Sequence, residues 1–274
     1  MQNSSIPEYW EISLNFLSPC KDDYEIVTPQ KLVSHVAKLM NVKKFDVNRV
    51  VLMSFSSRVM KLLIEKSRAK RVEKWLYGTH NPLYNGVYKN TRVSIIKGPI
   101  GAPATVMLME ELAACGAKTF ISLGEAGSIQ PYARIGSFVI PTEAIREEGT
   151  SYHYLPPEVK VKASEKISTA LEKECKKLQI PFLKGKIWTT DAPYRETKSK
   201  VDSYIKQGVI CVEMELSAMF ALGAFRDLNV GGLLIISDEL FNGWSLLKSR
   251  KGLSWIPHAA TQILLETASA VSNS

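Results

Sequence analysis

Short apolar, β-branched runs alternate with longer stretches of helical periodicity along this chain, and that alternation restricts the fold more than any single motif. "RVVLMSF" (Arg49–Phe55), "TRVSIIK" (Thr91–Lys97), "KTFISL" (Lys118–Leu123), "GSFVIP" (Gly136–Pro141), "GKIWTT" (Gly185–Thr190), "GVICV" (Gly208–Val212) and "GGLLIIS" (Gly231–Ser237) read as strands. Ser57–Ser67, Ala104–Gly116, Val161–Leu178, the stretch from Leu216 and the C-terminal "SWIPHAATQILLETASAV" read as helices. Strand–helix alternation implies an α/β fold with a largely parallel sheet. With 274 residues, 45% of them hydrophobic, and no linker-like or repeated stretch, one main domain is expected.

In such sheets ligands bind beyond the carboxyl ends of the strands. The segments that follow the strands are "GPIGAP", "GEAGSI", "DAPYRET", "EME" and "DELFNG". They are small, polar or acidic, and are expected to converge on one rim.

The net charge of +8 suits anionic ligands. The basic run Lys66–Lys74 lacks interleaved aromatics, so it reads as a solvated surface and no nucleic-acid partner is expected. The four cysteines (Cys20, Cys115, Cys175, Cys211) form no CxxC pair, which suits a reducing compartment. The first residues do not read as a signal peptide, and "VGGLLII" is too short to span a bilayer. A cytoplasmic protein with no membrane partner is expected.

Gly98 and Gly101 of "GPIGAP" open a helix, where backbone N–H groups and the dipole favour an anion; the plain alternative is a tight turn. "GEAGSIQP" repeats that logic with Glu125 at its centre, which would repel a phosphate but could hold water or a sugar hydroxyl; a solvent-facing loop glutamate is the alternative. In "VEME", Glu215 falls in a first helical turn, where the dipole favours a carboxylate. Two carboxylates exceed what capping needs, and a carboxylate matches a vicinal diol such as the ribose hydroxyls. Asp238 of "ISDEL" is a candidate general acid or an N-cap. The four histidines show no metal-ligand spacing, and no GxSxG or P-loop is present. No metal is expected.

Taken in order, "GPIGAP" ahead of "MEELAACGAK", "GEAGSIQPYARIGSFVIP", "TTDAPY", "VEMELSAMF" and "ISD" resemble the nucleoside phosphorylase superfamily, which includes uridine, purine nucleoside and methylthioadenosine phosphorylases and the adenosylhomocysteine nucleosidases. The resemblance begins near Arg49, leaving residues 1–48 as an N-terminal extension packed on a domain of residues 49–274. It implies a three-layer α/β/α sandwich around a mixed, mostly parallel and partly barrel-like sheet, and self-association as a dimer or a trimer of dimers. It implies cleavage of an N-glycosidic bond, with Asp238 as the acid at N7 of a purine, Glu215 on the ribose hydroxyls, Met214 under the sugar and Glu213 in support. Arg58, Gly98, Gly101, Ser122 and Gly124 fall at the phosphate or acceptor site. Asp191, Tyr194, Arg195 and His153 fall at the base or sugar pocket, and Tyr152 beside His153 is a further candidate for reading the 5′ group. The Gln-x-Arg spacing with which the uridine enzymes hold uracil is absent; Arg195, Glu196 and Thr197 stand there instead, which favours a purine.

The family's phosphate loop is altered at Ser54, and its arginine and hydroxyl positions are Ser122 and Glu125 here. Two like charges about 4 Å apart at an effective dielectric of about 20 repel by about 4 kcal/mol, enough to outweigh several hydrogen bonds to phosphate. Arg58, Arg146 or a partner subunit's arginine would have to compensate. Phosphorolysis of a purine nucleoside, with inorganic phosphate as co-substrate and no other cofactor, is the first expectation. Hydrolysis, with Glu125 orienting water, is the second. A non-catalytic nucleoside-binding protein is the third.

Overall fold

The computed structural model describes residues 24–246 and 252–272; Cys20 and the rest of residues 1–23 of the N-terminal extension lie outside them. In chain order the elements are α1 (Pro29–Leu39), β1 (Val50–Ser54), α2 (Ser57–Lys66), β2 (Lys70–Arg71), β3 (Tyr84–Tyr88), β4 (Thr91–Lys97), α3 (Ala102–Ala114), β5 (Thr119–Ser128), β6 (Phe138–Glu147), β7 (Val161–Lys162), α4 (Glu165–Lys177), β8 (Phe182–Thr190), α5 (Lys198–Lys206), β9 (Cys211–Glu213), α6 (Leu216–Arg226), β10 (Asn229–Glu239), β11 (Ser245–Leu246) and α7 (Ile256–Ser272).

Strand alternation builds the layers. Val51 and Met53 of β1 point into the core that holds α1, α3 and α6, whereas Val50 and Leu52 point into the core that holds α2, α4 and α7. The result is the expected α/β sandwich, with helices on both faces of a mixed sheet. Val33 and Ala37 of α1 are buried against the first core, with Pro29 at the first helical position and the Thr28 side chain accepting the N–H of Lys31.

β1 pairs in parallel with β4 and β5, and β5 with β10. β10 meets β6 antiparallel, β6–β8 and β8–β9 are parallel, and β9 returns antiparallel to the end of β5. Five strands therefore close a circuit, and β1, β4 and the β2–β3 hairpin form an open wing. Although β6, β8 and β9 run opposite to β5 and β10, the segments at the ends of β5, β8, β9 and β10 come together on one cavity, and "GPIGAP" stands outside its lining.

Two strands outrun their sequence patterns. "KTFISL" continues to Ser128 because β10 runs beside it through Glu239 and supplies the backbone partners, so "GEAGS" is strand rather than loop. Asp238 likewise lies within β10, opposite Gly127 and just past a register shift after Ile236. The β3–β4 hairpin, unread in the sequence, turns on Lys89 and Asn90, both with positive φ (46° and 66°).

Gly231 and Gly232 let helices close on both faces of β10. A Cβ at Gly231 would lie 2.5 Å from Ile167 of α4, and one at Gly232 3.2 Å from Leu216 of α6. Gly231→Ala is expected to lower stability by about 1–3 kcal/mol, read as a lower urea midpoint at unchanged slope.

Candidate active site

β9 ends at Glu213 and the chain turns at once into α6. The first N–H groups of a helix have no partner within it. Glu213, only 6% exposed, supplies one from just outside: its Oε2 accepts the N–H groups of Glu215 and Leu216, both at 2.8 Å. Its Oε1 accepts the Thr189 hydroxyl, which in turn accepts the N–H of Ser217 at 3.0 Å. The Ser217 hydroxyl donates to Glu148 at 2.8 Å, and Glu148 also accepts the Ser151 N–H at 2.8 Å. Glu215, also buried, accepts the Gly101 N–H at 2.7 Å, at the start of α3. The paired glutamates thus bind two helix N-termini. Burial pushes both carboxyls upward and the Glu215 charge adds to the push on Glu213, while these same donors pull the other way.

Beside this pair lies a cavity of about 450 Å³ lined by Glu125, Gly127, Tyr194, Glu196, Glu213, Met214, Asp238 and Trp244, among others. Register explains the gathering: Gly127 of β5 faces Val212 of β9 on one side and Asp238 of β10 on the other. A Cβ at Gly127 would sit 2.5 Å from Leu240 and 3.3 Å from the Asp238 carboxylate, so the glycine keeps this space open. The Asp238 carboxylate accepts the Ser237 hydroxyl at 2.6 Å and the Trp244 indole N–H at 3.1 Å. Glu196 is pushed up to about 7, by burial first and then by the charges of Asp238 and Glu147.

A smaller cavity of about 210 Å³ adjoins it, lined by Ser56, Arg58, Ile135, Leu253 and others. Glu125 and Ser237 line both cavities and form their common wall. Arg58 is exposed and makes no ion pair among the described residues.

Of the residues anticipated from sequence, Asp238, Glu125, Glu213, Met214 and Tyr194 meet at the larger cavity and Arg58 at the smaller. The others stand elsewhere. Gly98 is buried, and a Cβ there would meet the Phe55 ring at 2.6 Å, so that glycine serves packing rather than ligand approach. Gly101 has already given its N–H to Glu215. Ser122 is buried inside β5, 3.5 Å from the Gly231 carbonyl, and Gly124 packs against Leu234. Ser54 closes on Ser56. His153 and Asp191 line a separate groove of about 780 Å³ beside α1, α3 and α6, where Asp191 accepts the Gly149 N–H at 2.9 Å. The Arg146 guanidinium is consumed by Ser151 and by the carbonyls of Leu155, Pro156 and Val159, and the Tyr152 hydroxyl donates to the Arg146 carbonyl. Arg195 is exposed and Glu196, half-buried, is the neighbour that enters the cavity. Gly127 and Trp244 carried no sequence signal; strand register alone brings Gly127 to the cavity.

Comparison with known proteins gives this geometry a context. The chain is 33% identical over 164 residues to the uridine phosphorylase of Treponema pallidum (strain Nichols), covering 56% of this chain and 64% of that protein. It is 29% identical over 165 residues to the guanosine phosphorylase of Halorubrum lacusprofundi, covering 59% and 67%. The chain thus spans about two thirds of the length of these relatives. The crystal structure of uridine phosphorylase from Vibrio fischeri ES114 shares its fold, with a TM-score of 0.72 at 23% identity over 82% of this chain and 92% of that one. Residues 49–263, most of the chain and every strand from β1 to β11, match the phosphorylase superfamily, and to that family the chain belongs.

Proposed function

We propose that this protein is a nucleoside phosphorylase that cleaves the N-glycosidic bond of a purine nucleoside. The observation that carries the reading is the pair of adjoining cavities, one walled by Glu213, Met214 and Asp238 and the other open to Arg58, with Glu125 and Ser237 between them. A nucleoside in the larger cavity and an anion in the smaller would meet across that wall.

In this arrangement the ribose rests on Met214 with its hydroxyls toward Glu213, which lines the cavity; Glu215, which does not line it, is oriented beside them by the Gly101 N–H. The bond from C1′ to the base nitrogen breaks through an oxocarbenium-like transition state, as in glycoside hydrolysis. Its electron pair passes to the base, an oxygen of phosphate bonds to C1′, and Asp238 carries the proton to N7. Ser237 and Trp244 hold the Asp238 carboxyl in place for that transfer. Arg58 and Ser56 receive the phosphate. Both curated relatives named above are phosphorylases, which supports phosphate rather than water as acceptor.

The decisive experiment incubates the protein with nucleosides with and without phosphate and separates the products. Free base with sugar 1-phosphate, formed only with phosphate, is expected; free base with free sugar would overturn phosphorolysis, and tight binding without base release would overturn catalysis. Asp238→Asn is expected to reduce kcat/KM for a purine nucleoside by about 10²–10⁴-fold; full retention of activity would remove Asp238 from its role. Glu125→Gln, by removing an anion beside the phosphate, is expected to lower the KM for phosphate by about three- to tenfold with little change in kcat. A raised KM would instead make Glu125 a ligand-holding group.

A further inference from the structure

Four carboxylates line the larger cavity, and three are accounted for. Glu213 is filled by Thr189 and two backbone N–H groups. Asp238 is filled by Ser237 and Trp244. Glu125 is exposed to solvent. Glu196 is different: it is half-buried, it lines the cavity, and its carboxyl receives no hydrogen bond or ion pair from any described residue. On that wall its carboxyl is open to whatever fills the cavity.

The loop geometry holds it there. Thr190 ends β8 and its hydroxyl accepts the Ala192 N–H at 3.2 Å; a 3₁₀ turn over Pro193–Arg195 follows, and α5 begins two residues beyond Glu196. Glu196 is thus pinned between a strand end and a helix start. The charged groups around it are Asp238 on β10, Glu147 on β6, Glu213 at the end of β9 and Glu125 on β5; Glu147 is itself engaged by Lys200 and Tyr204 of α5. Arg195 is next in the chain, yet exposed and not paired with it. A carboxyl among these anions is poised between two states near neutral pH.

The two states present different edges. A neutral carboxyl offers one donor beside one acceptor, and a carboxylate offers two acceptors. Hypoxanthine presents N1–H beside a carbonyl oxygen, which matches the neutral form. Guanine presents that same pair and, on the other side of N1–H, its 2-amino group, so it also offers two adjacent donors, which match the ionised form. We propose that Glu196 reads the pairing edge of the base and that its protonation state selects which base is taken, either base in the neutral form and guanine in the ionised form. This rests on the nucleoside-cleavage reading above.

The test measures kcat/KM for guanosine and inosine at saturating phosphate from pH 6 to pH 8, a profile that reports groups of the free enzyme. A group that titrates at about 7 is about nine-tenths protonated at pH 6 and about one-tenth at pH 8. The guanosine-to-inosine ratio is therefore expected to climb by up to about tenfold, as inosine loses its matching form while guanosine keeps one. Glu196→Gln, fixed as donor beside acceptor, should give a flat ratio near the wild-type value at pH 6, and Glu196→Asp should restore a slope. A wild-type ratio constant within about twofold, or a Glu196→Gln enzyme that keeps the slope, overturns the proposal. Equilibrium binding of the two nucleosides in phosphate-free buffer separates the two readings. A pH-dependent preference in that binding, with no turnover at saturating phosphate, supports Glu196 and overturns cleavage. Turnover with a flat ratio supports cleavage and overturns Glu196.

Discussion

Everything at the candidate site hangs on a carboxylate placed where a helix begins. Glu213 accepts the N–H groups that open α6, and Glu215 accepts the one that opens α3. Both glutamates are buried, and a buried carboxylate is tolerated only when its lone pairs are met. The two helix starts meet them. In return α3 and α6, which lie on the same face of the sheet, are locked in position relative to the end of β9. The polar chain continues through Thr189, Ser217 and Glu148 to Ser151, so the segment after β6 is held by the same network. A half-satisfied version of this network would be worse than an apolar core, which makes its members interdependent.

Much of this was legible in the sequence. Strand–helix alternation located most of the strands that form the sheet and circuit, because apolar period and glycine stops are local signals. The cluster "VEME" stood out because two carboxylates in an apolar stretch demand partners. Asp238 and Glu125 were legible as polar residues at the ends of apolar runs. Gly127 was not legible as their neighbour, since it meets Asp238 through a strand register that no local pattern records, whereas Ser237 and Trp244 reach Asp238 from nearby in the chain.

The misplaced residues share a cause. Gly98, Gly101, Ser122 and Gly124 looked like an anion cradle because glycine permits close approach, but glycine also permits close packing. Here the close approach is made by Phe55 and Leu234, and the one anion at the loop is Glu215, which the chain itself provides. The family resemblance assigns His153 and Asp191 to the pocket; they do lie by a cavity, but by the separate groove beside α1, α3 and α6.

The closed circuit has a consequence for how the molecule comes into being. The floor of the cavity, Gly127, belongs to β5, while one wall belongs to β9 and the other to β10. A chain emerging from the ribosome presents β5 long before β10, so the early strands wait with an unpaired edge until Asn229–Glu239 is made. A chain that ends before Asn229 lacks one wall of this cavity, and the contacts that form it join segments far apart in sequence, which are slow to be made. The site and the core are therefore completed together: β10 gives Leu234 and Ile236 to one core as it gives Asp238 to the cavity.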